Sequence, residues 1–249
     1  MKKFTSIKLA IAAACLAASS AQADTILGLY AGAQYWQVEP EGQFGSSDDQ
    51  QAAFNYDDDA QGSFYVALEH PVPLIPNIKI RQTQLEVAGS QNMSFNFNGT
   101  AFDGKVSTEA DLSNTDLTLY YEVLDNGLAS LDFGVTVKSL DGEIMVMDDD
   151  GTSEMQELTG YVPMGYLAAQ VGLPLTGLSL YGDVSVLSIG DHSLTDYQAG
   201  IAYAFVDNIA VDISAQLGYR SFKLELDDLD GIHSDLEFSG AYAGLEVHF

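Results

Sequence analysis

From Ile26 to Phe249 the chain repeats one pattern, and that pattern leaves few folds open. Stretches alternating strictly between apolar and polar residues are separated by turn-forming or acidic text. Leu117, Leu119, Tyr121 and Val123 alternate with Asp116, Thr118, Tyr120 and Glu122. Leu131, Phe133, Val135 and Val137 stand against Asp132, Gly134, Thr136 and Lys138, and Val211, Ile213, Ala215, Leu217 and Tyr219 against Asp212, Ser214, Gln216, Gly218 and Arg220. A side-chain period of two belongs to strands with one apolar and one polar face. Ten such segments are predicted: Ile26–Val38, Gly62–Glu69, Asn77–Ala88, Asp111–Val123, Ser130–Val146, Leu158–Val171, Gly177–Ile189, Thr195–Phe205, Ile209–Leu226 and Leu236–Phe249. Most are long enough to cross a bilayer as a tilted strand, which takes roughly 9–11 residues. Eight or twelve strands fit the same text, because boundaries read from sequence shift by several residues.

The connections sort by length. His70–Pro76, Leu124–Ala129, Gly172–Thr176 and Val206–Asn208 are short. Glu39–Gln61 with its Asp57-Asp58-Asp59, Gly89–Ala110, Met147–Glu157 with its Asp148-Asp149-Asp150, and Asp227–Asp235 read as long, acidic loops; Gly190–Leu194 is the short exception among them. Short turns alternating with longer loops are expected of an antiparallel up-and-down transmembrane β-barrel, with turns in the periplasm and loops outside. A soluble sandwich or lipocalin-like barrel shares the alternation but has no need to sort its loops. In hydrocarbon every backbone N–H and C=O must find a partner within the protein, and a closed barrel achieves this with strands. The expected fold class is therefore all-β, a single transmembrane barrel of about ten strands.

The N-terminus reads as an export signal. Lys2, Lys3 and Lys8 precede or open an Ala-rich apolar run, and Ala21-Gln22-Ala23 offers the small-x-small cleavage pattern. Cleavage is expected between Ala23 and Asp24, giving a signal peptide over 1–23 and a barrel over 24–249. Acylation at Cys15 is the competing reading, but the three residues before it are Ala12, Ala13 and Ala14. Cys15 is the only cysteine, so the expected mature chain has no thiol, disulfide or cysteine metal site. Three of the nine Lys and Arg leave with the signal, while all 36 Asp and Glu remain. So acidic a chain does not suit nucleic acid, whose phosphates need a basic partner. It also lacks a basic patch for anionic lipid.

Two motifs are sharper than the pattern. The chain ends Tyr242-Ala243-Gly244-Leu245-Glu246-Val247-His248-Phe249. Tyr242, Gly244, Val247 and Phe249 resemble the terminal signal by which the barrel-assembly machinery recognises outer-membrane clients, which implies that machinery as a partner during biogenesis. Glu69-His70-Pro71-Val72-Pro73-Leu74-Ile75-Pro76-Asn77 cannot lie inside a central strand, because proline donates no ladder hydrogen bond. This turn, with His70, Pro71, Pro73, Pro76 and Asn77, resembles one in a family of Gram-negative outer-membrane β-barrel proteins of unassigned activity. The start of the first strand, Gly28-Leu29-Tyr30-Ala31-Gly32 followed by Tyr35-Trp36, is similar to that family too. The resemblance implies an outer-membrane address, with lipid and lipopolysaccharide as surroundings, and brings no catalytic residues.

Function is less legible. The expected role is structural or small-solute passage without catalysis and without a cofactor. One alternative is a narrow porin-like channel for small hydrophilic or amphipathic molecules. A second is a hydrolase at the outer rim. For it, His192 beside Asp191, His233 near Asp235, and Ser188 or Ser193 near His192 supply candidate pairs, since a neutral His beside a carboxylate can act as a general base. Asp148-Asp149-Asp150-Gly151-Thr152-Ser153-Glu154 lacks the spaced oxygens of a calcium loop. Weak divalent-ion binding at the acidic loops, shared with lipopolysaccharide, is the most it suggests. On the inner face Asp116, Glu122, Asp132, Lys138, Asp183, Asp212 and Arg220 are expected either to plug the lumen as a charge network or to line a narrow path.

Overall fold

The computed structural model describes residues 27–249 except 46–51, 54–55, 57, 73, 191, 209 and 230–231. The expected signal peptide with Ala23 and Asp24, and Ile26, Asp57, Pro73, Asp191 and Ile209, lie outside the described residues. The strands are β1 (Gly28–Gly45), β2 (Ala52–Ala53), β3 (Asp59–Glu69), β4 (Asn77–Thr83), β5 (Glu86–Phe97), β6 (Thr100–Asp111), β7 (Asn114–Asp125), β8 (Ala129–Asp148), β9 (Ser153–Leu173), β10 (Leu178–Ile189), β11 (His192–Asp207), β12 (Asp212–Leu229) and β13 (Ile232–His248). β4 and β5 continue one another across Gln84-Leu85, as β6 and β7 do across Leu112-Ser113. With β2 a short appendage on β1, the wall is a closed antiparallel barrel of ten strands.

Closure runs through the first and last strands. β1 pairs with β13 from Tyr30↔His248 to Gly45↔His233. Phe249 donates its N–H to Leu29 O at 2.9 Å and accepts that of Leu29 at 3.2 Å. No edge is left between them, which is how a barrel disposes of unpaired backbone groups. β8 pairs with β9 on the far side and completes the ring.

Two expected loops are strands instead. Gly89–Ala110 is a hairpin of β5 and β6 that turns at Asn98 and Gly99, both at positive φ (51° and 82°). Asn-Gly is the favoured pair for such a two-residue turn. Met147–Glu157 is mostly strand, its connection reduced to the residues between Asp148 and Ser153. Likewise β1 runs on to Gly45, and β12 and β13 narrow the Asp227–Asp235 connection. These segments escape a search for lipid-facing strands because their apolar residues point inward.

The barrel is inverted along its axis. Near the short-turn end the outward faces are apolar: Ala31 and Ala33 on β1, Phe64 and Val66 on β3, Leu117 and Leu119 on β7, Val135 and Val137 on β8, Leu180 and Val186 on β10. Exposed aromatics border this band, with Tyr35, Tyr161, Tyr197 and Tyr219 toward the loop end and Tyr121, Phe133, Tyr203 and Phe205 toward the turn end. Beyond the loop-side border the outward positions turn polar: Glu39 and Glu41, Glu86, Glu109, Asp141 and Glu143, Lys223 and Glu225. The lumen inverts in step. It is polar within the band and hydrophobic beyond it, where Phe44, Phe97, Phe102, Ile144, Phe222, Leu236 and Phe238 are almost fully buried.

Candidate functional site

Lumen side chains come from alternate positions on every strand, so the same alternation that faces apolar residues outward stacks polar ones inside. Glycine makes room where tyrosine enters. Gly32 lies directly opposite Tyr65, Gly134 opposite Tyr120 and Gly218 opposite Tyr242. A Cβ on Gly32 would come within 2.3 Å of the Tyr65 ring.

Three layers result. The hydrophobic plug at the loop end is closed by edge-on aromatic pairs such as Phe44–Phe97, 5.5 Å apart at 84°. Below it lies an ionic layer. Lys138 on β8 is fully buried, and its Nζ sits 2.8 Å from Asp116 Oδ1 and 3.1 Å from Asp196 Oδ2, and donates to Asn114 Oδ1 at 2.9 Å. Arg220 on β12 grips Asp196 with two hydrogen bonds, Nε to Oδ1 at 3.0 Å and Nη2 to Oδ2 at 2.8 Å. Its guanidinium stacks 4.9 Å from the Trp36 ring and donates to Thr83 Oγ1. Arg81 reaches Asp183 at 3.4 Å. Three cations therefore face three carboxylates, which is the condition under which buried charge is tolerable.

The third layer is a cavity of about 700 Å³ that opens among the short turns. Its walls carry Tyr30, Tyr65, Tyr120, Tyr166 and Tyr181, the acids Glu69, Glu122, Asp132, Asp183 and Glu246, and Lys79. Lys79 Nζ sits 4.9 Å from the Tyr65 ring centre and 5.9 Å from that of Tyr166. Tyr120 donates its hydroxyl to Glu69 at 2.7 Å, and Tyr65 donates to Glu246. The cavity ends at the ionic layer, where a space of about 10 Å³ remains beside Arg81, Asp116 and Asp196.

The inner-face residues expected from sequence fall into these layers. Asp116, Lys138 and Arg220 build the ionic one, Asp183 joins it to the cavity, and Glu122, Asp132 and Asp212 line the cavity. Sequence reading missed Asp196, Arg81, Lys79 and the cavity tyrosines other than Tyr120, which it placed in the row of Asp116 and Glu122. Asp196 was findable, since it continues the inward row Leu194, Asp196, Gln198. Of the terminal motif, Tyr242 points into the lumen and meets Tyr181 hydroxyl to hydroxyl at 2.5 Å, while Gly244 pairs with Gln34 and Val247 with Ala31 on β1. At the proline turn, the His70 N–H donates to Asn77 Oδ1 at 3.0 Å and His70 Nδ1 accepts from Val72 N–H at 3.2 Å; Pro71 is exposed and Pro76 half-buried.

Of the candidate rim residues all but Asp191 are described, and His192 and the serines lie on opposite faces of the wall. His192 takes an inward position on β11, in the row of Leu194, whereas Ser193 faces outward and donates to Glu225. Ser188 pairs with Ser193 across the hairpin and is likewise exposed. His233 alternates with inward Ser234 and so shares the outward row of Asp235, whose carboxylate lies 3.5 Å from Lys223. Asp148 Oδ1 accepts the N–H groups of Asp150 and Thr152 and so caps its own turn. Among the described residues no three potential metal ligands come together.

No family model and no curated protein matches the sequence. Solved structures do. The outer membrane protease OmpT from Escherichia coli superimposes with a TM-score of 0.56 at 10% identity, over 89% of this chain and 97% of that one. The transport unit of the autotransporter AIDA-I from Escherichia coli (TM-score 0.41, 9% identity, 90% and 89% covered) and Neisserial surface protein A (0.35, 11%, 89% and 97%) also match, too loosely to bear weight. The likeness to OmpT is one of fold: a closed outer-membrane-type β-barrel.

Proposed function

We propose that the chain is an exported, integral outer-membrane barrel with a lumen occluded toward the cell exterior, serving a structural or small-solute role without catalysis. The observation that carries this reading is the stack of ionic layer and hydrophobic plug, in which Lys138 and Arg220 are at most 1% exposed. An apolar outward band with aromatic borders suits hydrocarbon flanked by two interfaces. The polar, acidic extension beyond the loop-side border then stands in water outside the cell, where lipopolysaccharide and its divalent cations are the neighbours. Its lumen is packed as a soluble core would be. The expected signal over 1–23 and the resemblance of the terminal motif at Phe249 to a barrel-assembly signal agree with export and delivery to that machinery.

The occluded lumen disfavours the narrow-channel alternative, and the separation of His192 from Ser188 and Ser193 disfavours the rim hydrolase. Planar-bilayer recording of the purified protein tests the reading. No conductance steps are expected over the voltage range that leaves the bilayer intact. Reproducible unitary steps would overturn occlusion and restore the channel.

A further inference from the structure

The ionic layer balances its own charges, and the cavity below it does not. Glu122 on β7 and Asp132 on β8 are direct cross-strand partners on the cavity wall. Like charges in that relation destabilise a sheet. Glu69 and Glu246 add two more carboxylates, and among the described residues of the lining Lys79 is the only Lys or Arg. Arg81, just beyond, reaches Asp183 through Nη1, while its Nε and Nη2 have no hydrogen-bond partner among the described residues. A second observation is independent of the acids. Gln198 is 5% exposed, lines the cavity and donates its amide to Asp183 at 2.5 Å, yet its Oε1 has no hydrogen-bond partner among the described residues. Asp132 Oδ1 is unpartnered as well. Buried acceptors without donors are costly and rare in finished structures.

What would satisfy this wall is a ligand that brings positive charge, N–H donors and an alkyl body. Ammonium groups meet the carboxylates and Gln198 Oε1 by charge-assisted hydrogen bonds. Tyrosine faces attract the same cations. A volume of about 700 Å³ lies in the usual range for small-molecule sites, roughly 300–1,000 Å³. We propose that the cavity binds a linear aliphatic diamine or polyamine entering from the short-turn end. This rests on the occluded-barrel reading, which makes the cavity a blind pocket facing the periplasm.

The test is calorimetric titration of the full, detergent-solubilised protein with spermidine at fixed ionic strength. Choline, which has no N–H, and Mg²⁺ serve as comparison cations. Saturable spermidine binding is expected, at least about tenfold tighter than choline or Mg²⁺ and weakened about tenfold by Glu122→Gln and by Gln198→Leu. Asp149→Asn at the rim is expected to leave it unchanged. Glu122→Gln should also raise the unfolding temperature of the unliganded protein, because it removes a repulsion. Absence of saturable binding overturns the proposal. So does equal binding of choline or Mg²⁺, or spermidine affinity that stays within about twofold in both cavity variants. Conductance steps would sink the occluded-barrel reading alone, since the titration reads binding whether or not the lumen conducts.

Discussion

Lys138 and Lys223 show how position decides the worth of one residue type. Lys138 is buried between Asp116 and Asp196, so removing it strands the Asp116 carboxylate inside the lumen and leaves Asp196 to Arg220 alone. Lys138→Met is expected to cost about 3–5 kcal/mol in urea unfolding of the detergent-solubilised protein. Lys223 stands on the outer wall, 2.6 Å from Glu225 Oε1, with both side chains over a third exposed. Lys223→Met is expected to cost less than about 1 kcal/mol by the same measurement. The Glu225 carboxyl is held below its usual range, first by the bond from Lys223 and then by that from Ser193. A depressed carboxyl stabilises the fold above its unfolded-state value and stops doing so as pH falls through the folded one. The small contribution of Lys223 should therefore be present at neutral pH and vanish in acid, so that wild type and Lys223→Met unfold alike there.

At the scale of the strand, the seam between β1 and β13 is the most exacting element. Between Trp36↔Tyr242 and Glu39↔Ser239 the pairing lapses at Gln37 and Val38, although the register is kept. Gly240 takes φ +156° there, and a Cβ on it would lie 1.9 Å from Gln37 O. Gly240→Ala is expected to destabilise the barrel by about 1–3 kcal/mol, seen as a lower temperature for the shift from compact to unfolded migration in SDS gels. Strands were legible where lipid-facing residues made the alternation, as in β7, β8 and β12. β5 and β6 were not, although Phe95 and Phe97 alternate with Asn96 and Asn98 before Gly99. There the apolar face lies inside a wall that stands clear of the band, so Ser and Asn face outward and the stretch resembles a loop. Gly240 is legible only as a glycine; the close approach of its backbone to Gln37 arises from the pairing of β13 with β1.

For the whole molecule, the inversion of inside and outside along one axis ties the parts together. Sequence identified the inward charges Asp116, Lys138, Asp183 and Arg220, because each lies in an alternating strand. It did not identify Asp196 as the group shared by Lys138 and Arg220. That partnership spans β8, β11 and β12 and depends on how far strands are staggered around the ring, a quantity no single strand encodes. The cavity was illegible for the same reason, since its tyrosines come from five strands. All of this presupposes that the ring closes, with Ala33 facing Leu245. Directly opposed antiparallel residues have Cα atoms roughly 4.5–5.5 Å apart, within disulfide reach. The most direct measurement is oxidation of a doubly substituted chain, Ala33→Cys with Leu245→Cys, compared with Ala33→Cys with Ala241→Cys, in protein that retains heat-modifiable migration. Closure in this register predicts a disulfide in the first pair and none in the second. A first pair that stays reduced, or a second that oxidises as readily, would contradict it.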